Sequence, residues 1–263
     1  MKEKFKLGIV IFACDKIDKY KEQIRTLNQT WVKKANEYSD IKTLFFIGEQ
    51  PTDEFKGDSY INLKGVNDDG CSVNNKQYEG IKYFYDNYDC DFIYCCGTDT
   101  YINIPKLYKY LDNFNPDEKL YIGGCGDYCN INNHSCYFLS GGSGFIITRE
   151  VLKELVPLID NNNLINDWNY LCKINNCDNL SYCCDVSIAY YFQKVIQGVS
   201  TIEIEKKVFY CCNYKDLNEN EIKKSITCHF MLPNDIHDYN KIMENNNYFL
   251  NDNQQININI INI

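Results

Sequence analysis

No apolar run in the sequence is long enough to cross a membrane, and the N-terminus offers no secretory signal. Lys2-Glu3-Lys4 precedes an apolar stretch that extends only from Leu7 to Cys14, whereas a spanning helix needs about 20 apolar residues. No other apolar run reaches that length. We therefore expect a cytoplasmic protein without a membrane segment.

An excess of basic residues is also missing. The chain has 263 residues, with 27 Lys and Arg against 36 Asp and Glu, so its formal net charge is -9. Proteins that bind nucleic acid present a basic stripe to the phosphates, so we expect no nucleic-acid partner. This charge better suits a small ligand that is neutral or carried by a metal. With 44% hydrophobic residues, the chain can bury the core of one large domain or two small ones.

The 15 cysteines include no Cys-x-x-Cys pair, and many stand as neighbours, as in Cys95-Cys96, Cys183-Cys184 and Cys211-Cys212. Neighbouring residues on a strand point to opposite faces, which does not suit a regular disulfide framework. We interpret most of them as reduced, apolar core residues of a protein in a reducing compartment. An alternative is a zinc-stabilised structural protein, with ligands drawn from Cys125, Cys129, His134 and Cys136.

The first 105 residues alternate between strand and helix patterns. Apolar runs with β-branched and aromatic members predict strands at 5–13, 41–47, 59–63 and 91–96. Apolar residues at helical spacing predict helices at 16–37 and 75–88. This alternation is typical of an α/β fold, in which helices wrap a mostly parallel central sheet in a single Rossmann-like domain. The second half is more mixed, with strands predicted at 119–122, 136–139, 145–148, 201–204 and 207–211, and helices at 149–158 and from Asp185.

The C-terminal segment differs in composition from the rest of the chain. It becomes rich in Asn from Asn245, and Ile256-Asn257-Ile258-Asn259-Ile260 alternates with period 2. Such a segment either adds a strand to a sheet edge or forms a disordered tail that is prone to aggregate. We therefore divide the chain into a domain at residues 1–244 and an Asn/Ile-rich tail at residues 245–263.

Asp99 follows the predicted strand 91–96 directly, after the break at Gly97-Thr98. Ligands of open α/β sheets bind outside the carboxyl ends of the strands, and a carboxylate there can hold a metal or position a phosphate through one. The alternative is that Asp99 caps the helix that Pro105 begins, or fills a turn.

Three further features carry chemistry, each with a structural alternative. Gly141-Gly142-Ser143-Gly144 suggests close approach of the backbone to a ligand, or an ordinary hairpin turn. Asp185 stands at the start of a predicted helix, where it is either a catalytic carboxylate or the N-cap of that helix. His229 lies in an apolar run, where a buried histidine with satisfied hydrogen bonds is the alternative to a ligand. No Ser-His-Asp ordering, Walker loop or kinase motif set is present.

Taken in chain order, these features resemble the Fringe-like beta-1,3-glycosyltransferases, the family that includes Fringe and the core-1 galactosyltransferase. The resemblance covers residues 6–231, and the Ser-Gly-Gly-x-Gly-Phe block is its most specific part. Its motifs are Leu27-Asn28-Gln29-Thr30-Trp31, Phe46-Ile47-Gly48-Glu49, Gly97-Thr98-Asp99-Thr100-Tyr101-Ile102-Asn103, Ser140-Gly141-Gly142-Ser143-Gly144-Phe145, Cys184-Asp185-Val186 and His229.

The resemblance implies a GT-A fold and inverting transfer of a hexose or N-acetylhexosamine from a UDP-sugar to a hydroxyl of a glycan or glycoprotein. It also implies a divalent metal, Mn²⁺ or Mg²⁺. Asp99 matches the last acid of the family's metal-binding Asp-x-Asp motif, and His229 matches a late histidine that also reaches the metal. Asp185 matches part of the acidic pair that holds the catalytic base. The residues that the resemblance assigns to the donor site are Ala13, Cys14, Arg25, Thr98, Asp99, Gly141 and Gly142.

The sequence departs from the family at three acidic positions. Gly97 and Thr98 replace the first two acids of the metal motif, and Cys184 replaces the first residue of the acidic pair. Members of the family usually carry an N-terminal membrane anchor for the secretory pathway, and this chain shows none. These departures motivate a second hypothesis, a catalytically inactive module of the same fold that binds UDP-sugar or glycan.

Overall fold

The computed structural model describes residues 2–49, 52–69, 72–131, 134–160, 163–246 and 258–261. Its strands are β1 (Glu3–Phe12), β2 (Ile41–Ile47), β3 (Tyr60–Asn62), β4 (Tyr88–Gly97), β5 (Tyr101–Ile102), β6 (Leu120–Gly124), β7 (Asp127–Ile131), β8 (His134–Phe138), β9 (Phe145–Thr148), β10 (Ser200–Ile204), β11 (Phe209–Tyr210), β12 (Thr227–Cys228) and β13 (Ile258–Ile261). Its helices are α1 (Asp18–Gln29), α2 (Trp31–Ala35), α3 (Val73–Asn87), α4 (Ile104–Tyr110), α5 (Arg149–Asp160), α6 (Asn163–Ile174), α7 (Cys184–Lys194), α8 (Glu219–Lys224) and α9 (Pro233–Asn245).

Eight of these strands form the central sheet, in the order β13-β10-β6-β9-β4-β1-β2-β3. β1 pairs in parallel with β2 and β4, β2 with β3, and β6 with β10, whereas β9 and β13 run antiparallel to their neighbours. The predicted α/β class with a mostly parallel sheet is therefore confirmed. Two small sheets, β11-β12-β5 and β7-β8, lie beside the central one.

Helices cover both faces of the sheet, which explains why the central strands are apolar almost throughout. On one face Ile9 and Tyr94 pack in a core with Leu27 of α1 and Ile236 of α9. On the other face Val10 packs in a second core that α3, α5 and α7 complete with Tyr78, Ile81, Phe84, Val151, Leu155, Ile188 and Phe192. Burying this much apolar surface is the main source of the domain's stability.

The helix predicted at 16–37 is interrupted. α1 ends at Gln29 and α2 begins at Trp31, because Thr30 between them has φ -118° and ψ -114°. The Thr30 hydroxyl donates to the carbonyl of Thr26 at 2.8 Å, the kind of local hydrogen bond through which Thr competes with helix. Periodicity alone could not reveal this break, since the apolar spacing continues through it.

The C-terminal strand supports one of the two alternatives for the Asn-rich segment. β13 pairs antiparallel with β10 at the edge of the sheet, with Thr201 opposite Ile261 and Ile204 opposite Ile258. These four residues therefore add to the sheet edge. The division of the chain at residue 244 remains a prediction.

All fourteen cysteines within the described ranges have free thiols. In those same ranges the structure contains no group of three or more His, Cys, Asp or Glu side chains arranged to hold a metal ion. Of the four proposed zinc ligands, Cys129 and Cys136 lie opposite each other in the β7-β8 hairpin, Cys125 donates to the carbonyl of Phe209 at 3.3 Å, and the side chain of His134 lies outside the described residues. Among the described helices, none has the length and apolar character needed to traverse a membrane.

Candidate active site

A cleft of about 290 Å³ opens at the carboxyl ends of β1 and β4. It brings together eight of the residues that the sequence predicted for the site: Ala13, Cys14, Thr98, Asp99, Gly141, Gly142, Asp185 and His229. They come from the end of β1, the turn after β4, the Gly-rich turn, the start of α7 and the segment after β12. This is the edge at which ligands bind in open α/β sheets.

Asp99 and His229 lie next to each other in the lining of this cleft. The His229 Nε2 lies 3.4 Å from the Asp99 Oδ2, and the two side chains are 15% and 34% exposed. Asn103 rather than Asp99 caps α4, accepting from the backbone N–H of Lys106 at 3.3 Å. Asp99 does lie in the turn that follows β4, and both Asp99 and His229 line the cleft. The backbone fixes both segments, since Met231 N–H donates to the Asp99 carbonyl at 3.0 Å.

These two side chains fit a divalent cation. Carboxylate oxygen and imidazole nitrogen are both donors that Mn²⁺ accepts, and atoms 3.4 Å apart can each lie about 2.0–2.2 Å from one ion. Two protein ligands leave the other coordination positions to diphosphate oxygens and water, which is the usual arrangement for Mg²⁺ with phosphate substrates.

The Gly-rich segment forms a single 3-10 turn at Gly141–Ser143, and it packs directly against the two other predicted site residues. A Cβ on Gly142 would lie 2.2 Å from His229 Nδ1, and one on Gly141 would lie 3.1 Å from the Asp185 Cβ. The Thr100 hydroxyl donates to the Gly142 carbonyl at 2.9 Å and ties the turn to the segment after Asp99. Glycine at position 142 is thus required for the approach of the His229 ring.

Asp185 lies in the first turn of α7, but Cys183 occupies the N-cap position. The carboxylate of Asp185 instead accepts the backbone N–H of Gly141 on Oδ2 and that of Val186 on Oδ1, each at 2.9 Å. Two charge-assisted hydrogen bonds therefore hold it in one orientation at the cleft wall. A carboxylate has about four lone-pair sites, so acceptor capacity remains for a ligand hydroxyl.

The replaced acidic positions have other structural roles. Thr98 is buried, and its hydroxyl donates to the side-chain oxygen of Gln23 at 2.7 Å, which ties the β4 turn to α1. Cys184 is also buried, and that burial raises the pKa of its thiol well above the usual value, with the charge of Asp185 adding to the effect. The thiol therefore stays protonated at neutral pH.

A buried ion pair beneath the cleft was missed by sequence reasoning. Lys76 Nζ lies 2.6 Å from Asp68 Oδ1, with the two side chains 2% and 0% exposed. Lys76 also donates to the carbonyl of Ala13 at 2.7 Å, and Asp68 accepts the backbone N–H groups of Asp15 and Gly48 at 2.8 and 3.1 Å. One carboxylate thus joins the ends of β1 and β2 to α3, and no local pattern marks a contact of this kind.

Arg25 is the predicted donor-site residue that the structure does not bring to the cleft. Its guanidinium donates to Glu22 and Glu54, at 2.8 Å in each case. The side chain is 41% exposed and lies outside the cleft lining. Its proposed role in donor binding therefore stays a prediction without geometric support.

Comparisons with known proteins identify the family to which the chain belongs. Residues 6–255 match the Fringe-like family. Chondroitin sulfate synthase 3 from Homo sapiens and its counterpart from Mus musculus are each 34% identical over 107 residues, which is 38% of this chain and 12% of each relative. The chain thus spans about an eighth of the length of these relatives.

Two solved structures are similar in outline. One is a glycosyltransferase involved in the glycosylation of the major capsid of PBCV-1, with TM-score 0.47 and 12% identity over 90% of this chain and 98% of that one. The other is the glycosyltransferase GlyE of Streptococcus pneumoniae, with TM-score 0.48 and 12% identity over 96% of this chain and 66% of that one. The family match alone covers the predicted motifs from the first strand to His229 and beyond, and the chain belongs to the Fringe-like family of glycosyltransferases.

Proposed function

We propose that this protein is an inverting, metal-dependent glycosyltransferase that moves a hexose or N-acetylhexosamine from a UDP-sugar to a hydroxyl of a glycan or glycoprotein. The observation that carries the proposal is the convergence of five separate chain segments on one cleft, whose lining includes Asp185 and the Asp99–His229 pair. Membership of the Fringe-like family supports the same reaction class.

Asp185 is the proposed general base. Its carboxylate is fixed by the N–H groups of Gly141 and Val186 at the N-terminus of α7, where the helix dipole favours negative charge. It takes the proton from the acceptor hydroxyl as that oxygen attacks the anomeric carbon of the donor sugar. Attack from the face opposite the leaving diphosphate inverts the anomeric centre in one displacement. Cys184 does not compete for this role because its thiol stays protonated.

Asp99 and His229 are the proposed metal ligands. A divalent cation held there would neutralise the charge that develops on the leaving diphosphate. Because this function replaces a general acid, the enzyme needs no second carboxyl beside the leaving group, unlike a glycosidase. With Gly97 and Thr98 at the other motif positions, only one carboxylate of that motif contributes to metal affinity.

The donor nucleotide is proposed to lie along the wall that contains Ala13, Cys14 and Thr98, beside the Gly141-Gly142 turn. Backbone groups at the end of β1 are held in place there by the Lys76–Asp68 pair beneath them. A preformed wall lowers the ordering cost of binding.

The free thiols favour a reducing compartment, although members of the family are usually secretory. Denaturing, non-reducing thiol titration should find nearly all 15 cysteines free. Several intact disulfides would instead place the protein in the secretory pathway.

A catalytically inactive module that binds UDP-sugar or glycan is the second candidate, because three acidic positions of the family pattern are Gly97, Thr98 and Cys184. Release of UDP from a panel of UDP-sugars, with Mn²⁺ and with chelator, separates the two candidates. The enzyme should release UDP from at least one donor in a metal-dependent manner, and a module should bind a donor without releasing UDP.

A further inference from the structure

Phe230 has a combination of strain and exposure that the fold does not explain. Its backbone φ is 53°, in the left-handed region that is unusual for any bulky residue. Its side chain is 63% exposed, so burial of the ring offsets little of the cost of this conformation. Backbone strain of this kind is concentrated at active sites and ligand-binding segments, and Phe230 follows directly after His229 of the cleft lining.

The segment around Phe230 is held firmly in this conformation. The carbonyl of Phe230 accepts from the Asn213 side chain at 3.0 Å. On either side, His229 N–H donates to the Cys212 carbonyl at 3.1 Å and Met231 N–H donates to the Asp99 carbonyl at 3.0 Å. Hydrogen bonds from three directions therefore fix the backbone of residues 229–231 relative to Asp99.

The ring of Phe230 lies against the imidazole of His229, with centroids 3.9 Å apart and planes inclined by 34°. Since one face is covered in this way and the side chain is still 63% exposed, the opposite face is open to solvent at the rim of the cleft. A second aromatic side chain, Tyr182, lines the cleft and is 46% exposed.

We propose that the open face of Phe230 is the platform on which the acceptor sugar rests. This inference rests on the proposed function. The cleft of about 290 Å³ is just below the usual volume of ligand sites, so a UDP-sugar bound there leaves the acceptor to approach from the open side, where Phe230 lies beside His229. A pyranose presents an apolar C–H face to an aromatic ring, while its hydroxyls point sideways and stay free to meet polar groups of the cleft.

The test compares three variants at Phe230 with a neighbour as control. Phe230→Ala should raise the acceptor KM about ten- to hundredfold, the usual range for losing a stacking contact. Phe230→Trp, which keeps an aromatic face, should retain most of the transfer activity. Leu232→Ala removes another exposed apolar side chain, 55% exposed but with ordinary backbone φ of -73°, and should leave the acceptor KM unchanged.

Two further readouts separate a sugar platform from a structural role. Hydrolysis of the UDP-sugar in the absence of acceptor, and its Mn²⁺ requirement, should change in Phe230→Ala by a smaller factor than the acceptor KM, and both should be unchanged in Leu232→Ala. Phe230→Gly should raise the melting temperature, because glycine adopts this φ without strain, and should still lose acceptor use. Parallel loss of hydrolysis, transfer and stability would show that Phe230 only supports His229, and would overturn the proposal, as would an unchanged acceptor KM.

Failure of the proposed function is measured separately. Saturation-transfer NMR with methyl pyranosides, in the presence of UDP and Mn²⁺, reports sugar contact without catalysis. If no UDP-sugar is hydrolysed but sugar signals depend on Phe230, the enzyme assignment fails and the platform stands. If the sugar signals are identical in wild type and Phe230→Ala, the platform is wrong whatever the catalytic result.

Discussion

The two walls of the cleft use charge in opposite ways. On the inner wall, Asp68 and Lys76 are almost fully buried, and each of their hydrogen bonds goes to another part of the fold. On the outer wall, Asp99 and His229 are partly exposed and stand 3.4 Å apart. The first pair is bound mainly to other parts of the fold, whereas the second presents partly exposed side chains to the cleft.

This difference in burial indicates which charged residues near the cleft stabilise the fold and which are available for chemistry. Removing one partner of a buried pair leaves an uncompensated charge in the interior, which is strongly destabilising. Removing a partly exposed charge leaves only water in its place. Substitutions on the two walls should therefore separate stability from activity.

The largest effect is expected at Asp185, which we group with the outer wall. Asp185→Asn keeps the shape of the side chain and should lower the rate of sugar transfer by about 10²–10⁴, the usual contribution of a general base. Donor affinity and melting temperature should stay near wild type. Asp167→Asn, on the exposed face of α6, is the matched control. Transfer at the wild-type rate in Asp185→Asn would mean that the base lies elsewhere.

On the inner wall, Lys76→Met should lower the free energy of unfolding by about 3–5 kcal/mol, because the Asp68 carboxylate then remains buried without a cation. Urea denaturation measures this change. The control is Lys34→Met, which removes the ion pair between Lys34 and Glu37, whose side chains are 39% and 56% exposed. This substitution should lower the free energy of unfolding by no more than about 1 kcal/mol. Equal effects of the two substitutions would show that burial does not set the contribution of the Lys76–Asp68 pair to stability.

His229→Ala should raise the Mn²⁺ concentration for half-maximal turnover on the order of tenfold or more, since the metal loses one of two protein ligands. Direct binding of Mn²⁺, followed by electron paramagnetic resonance, should weaken in parallel, and the fold should stay intact. His237→Ala on α9 removes a histidine that does not line the cleft and serves as the control. Unfolding of His229→Ala would restore the interpretation of a core histidine.

The smallest expected effect is a pH dependence of stability on the inner wall. Burial alone would raise the pKa of Asp68, but hydrogen bonds from Lys76 and from the N–H groups of Asp15 and Gly48 outweigh it and hold that pKa below its usual value. The stabilisation is then fully present above the unfolded value of about 4 and is lost as pH falls through the lower folded value. The difference in urea midpoint between wild type and Asp68→Asn should therefore shrink below about pH 4, and a constant difference would argue against this ionisation.

The sequence predicted the parts of the fold that local patterns encode. Periodicity located β1, β2, β4 and α3 to within a few residues, because burial on both sheet faces forces apolar runs. It could not locate the break at Thr30 or the short strands β5 and β12, where a side-chain hydrogen bond or a tertiary pairing decides the structure.

The site could be predicted only from the order in which the family's motifs follow one another along the chain. Asp99, Asp185 and His229 come together in space, as the family resemblance implied. The ion pair between Lys76 and Asp68 was not predicted, because a lysine within an apolar helix face gives no indication of a buried partner eight residues earlier. For Arg25 the sequence predicted a site residue that the structure does not bring to the cleft. The position of this cation near a motif gave no indication that its guanidinium would bind Glu22 and Glu54.

The pairing of β13 with β10 has a consequence for handling the protein. Without those four residues, the backbone N–H and C=O groups of β10 on that side would have no strand partner, and an open edge of this kind is a template for pairing with another copy. Ile258 and Ile260 are themselves 40% and 62% exposed, so the strand that covers β10 presents apolar side chains to solvent. Because β13 is the outermost strand of the central sheet, truncation before Ile258 should move the open edge from β13 to β10, and purification tags belong at the other terminus.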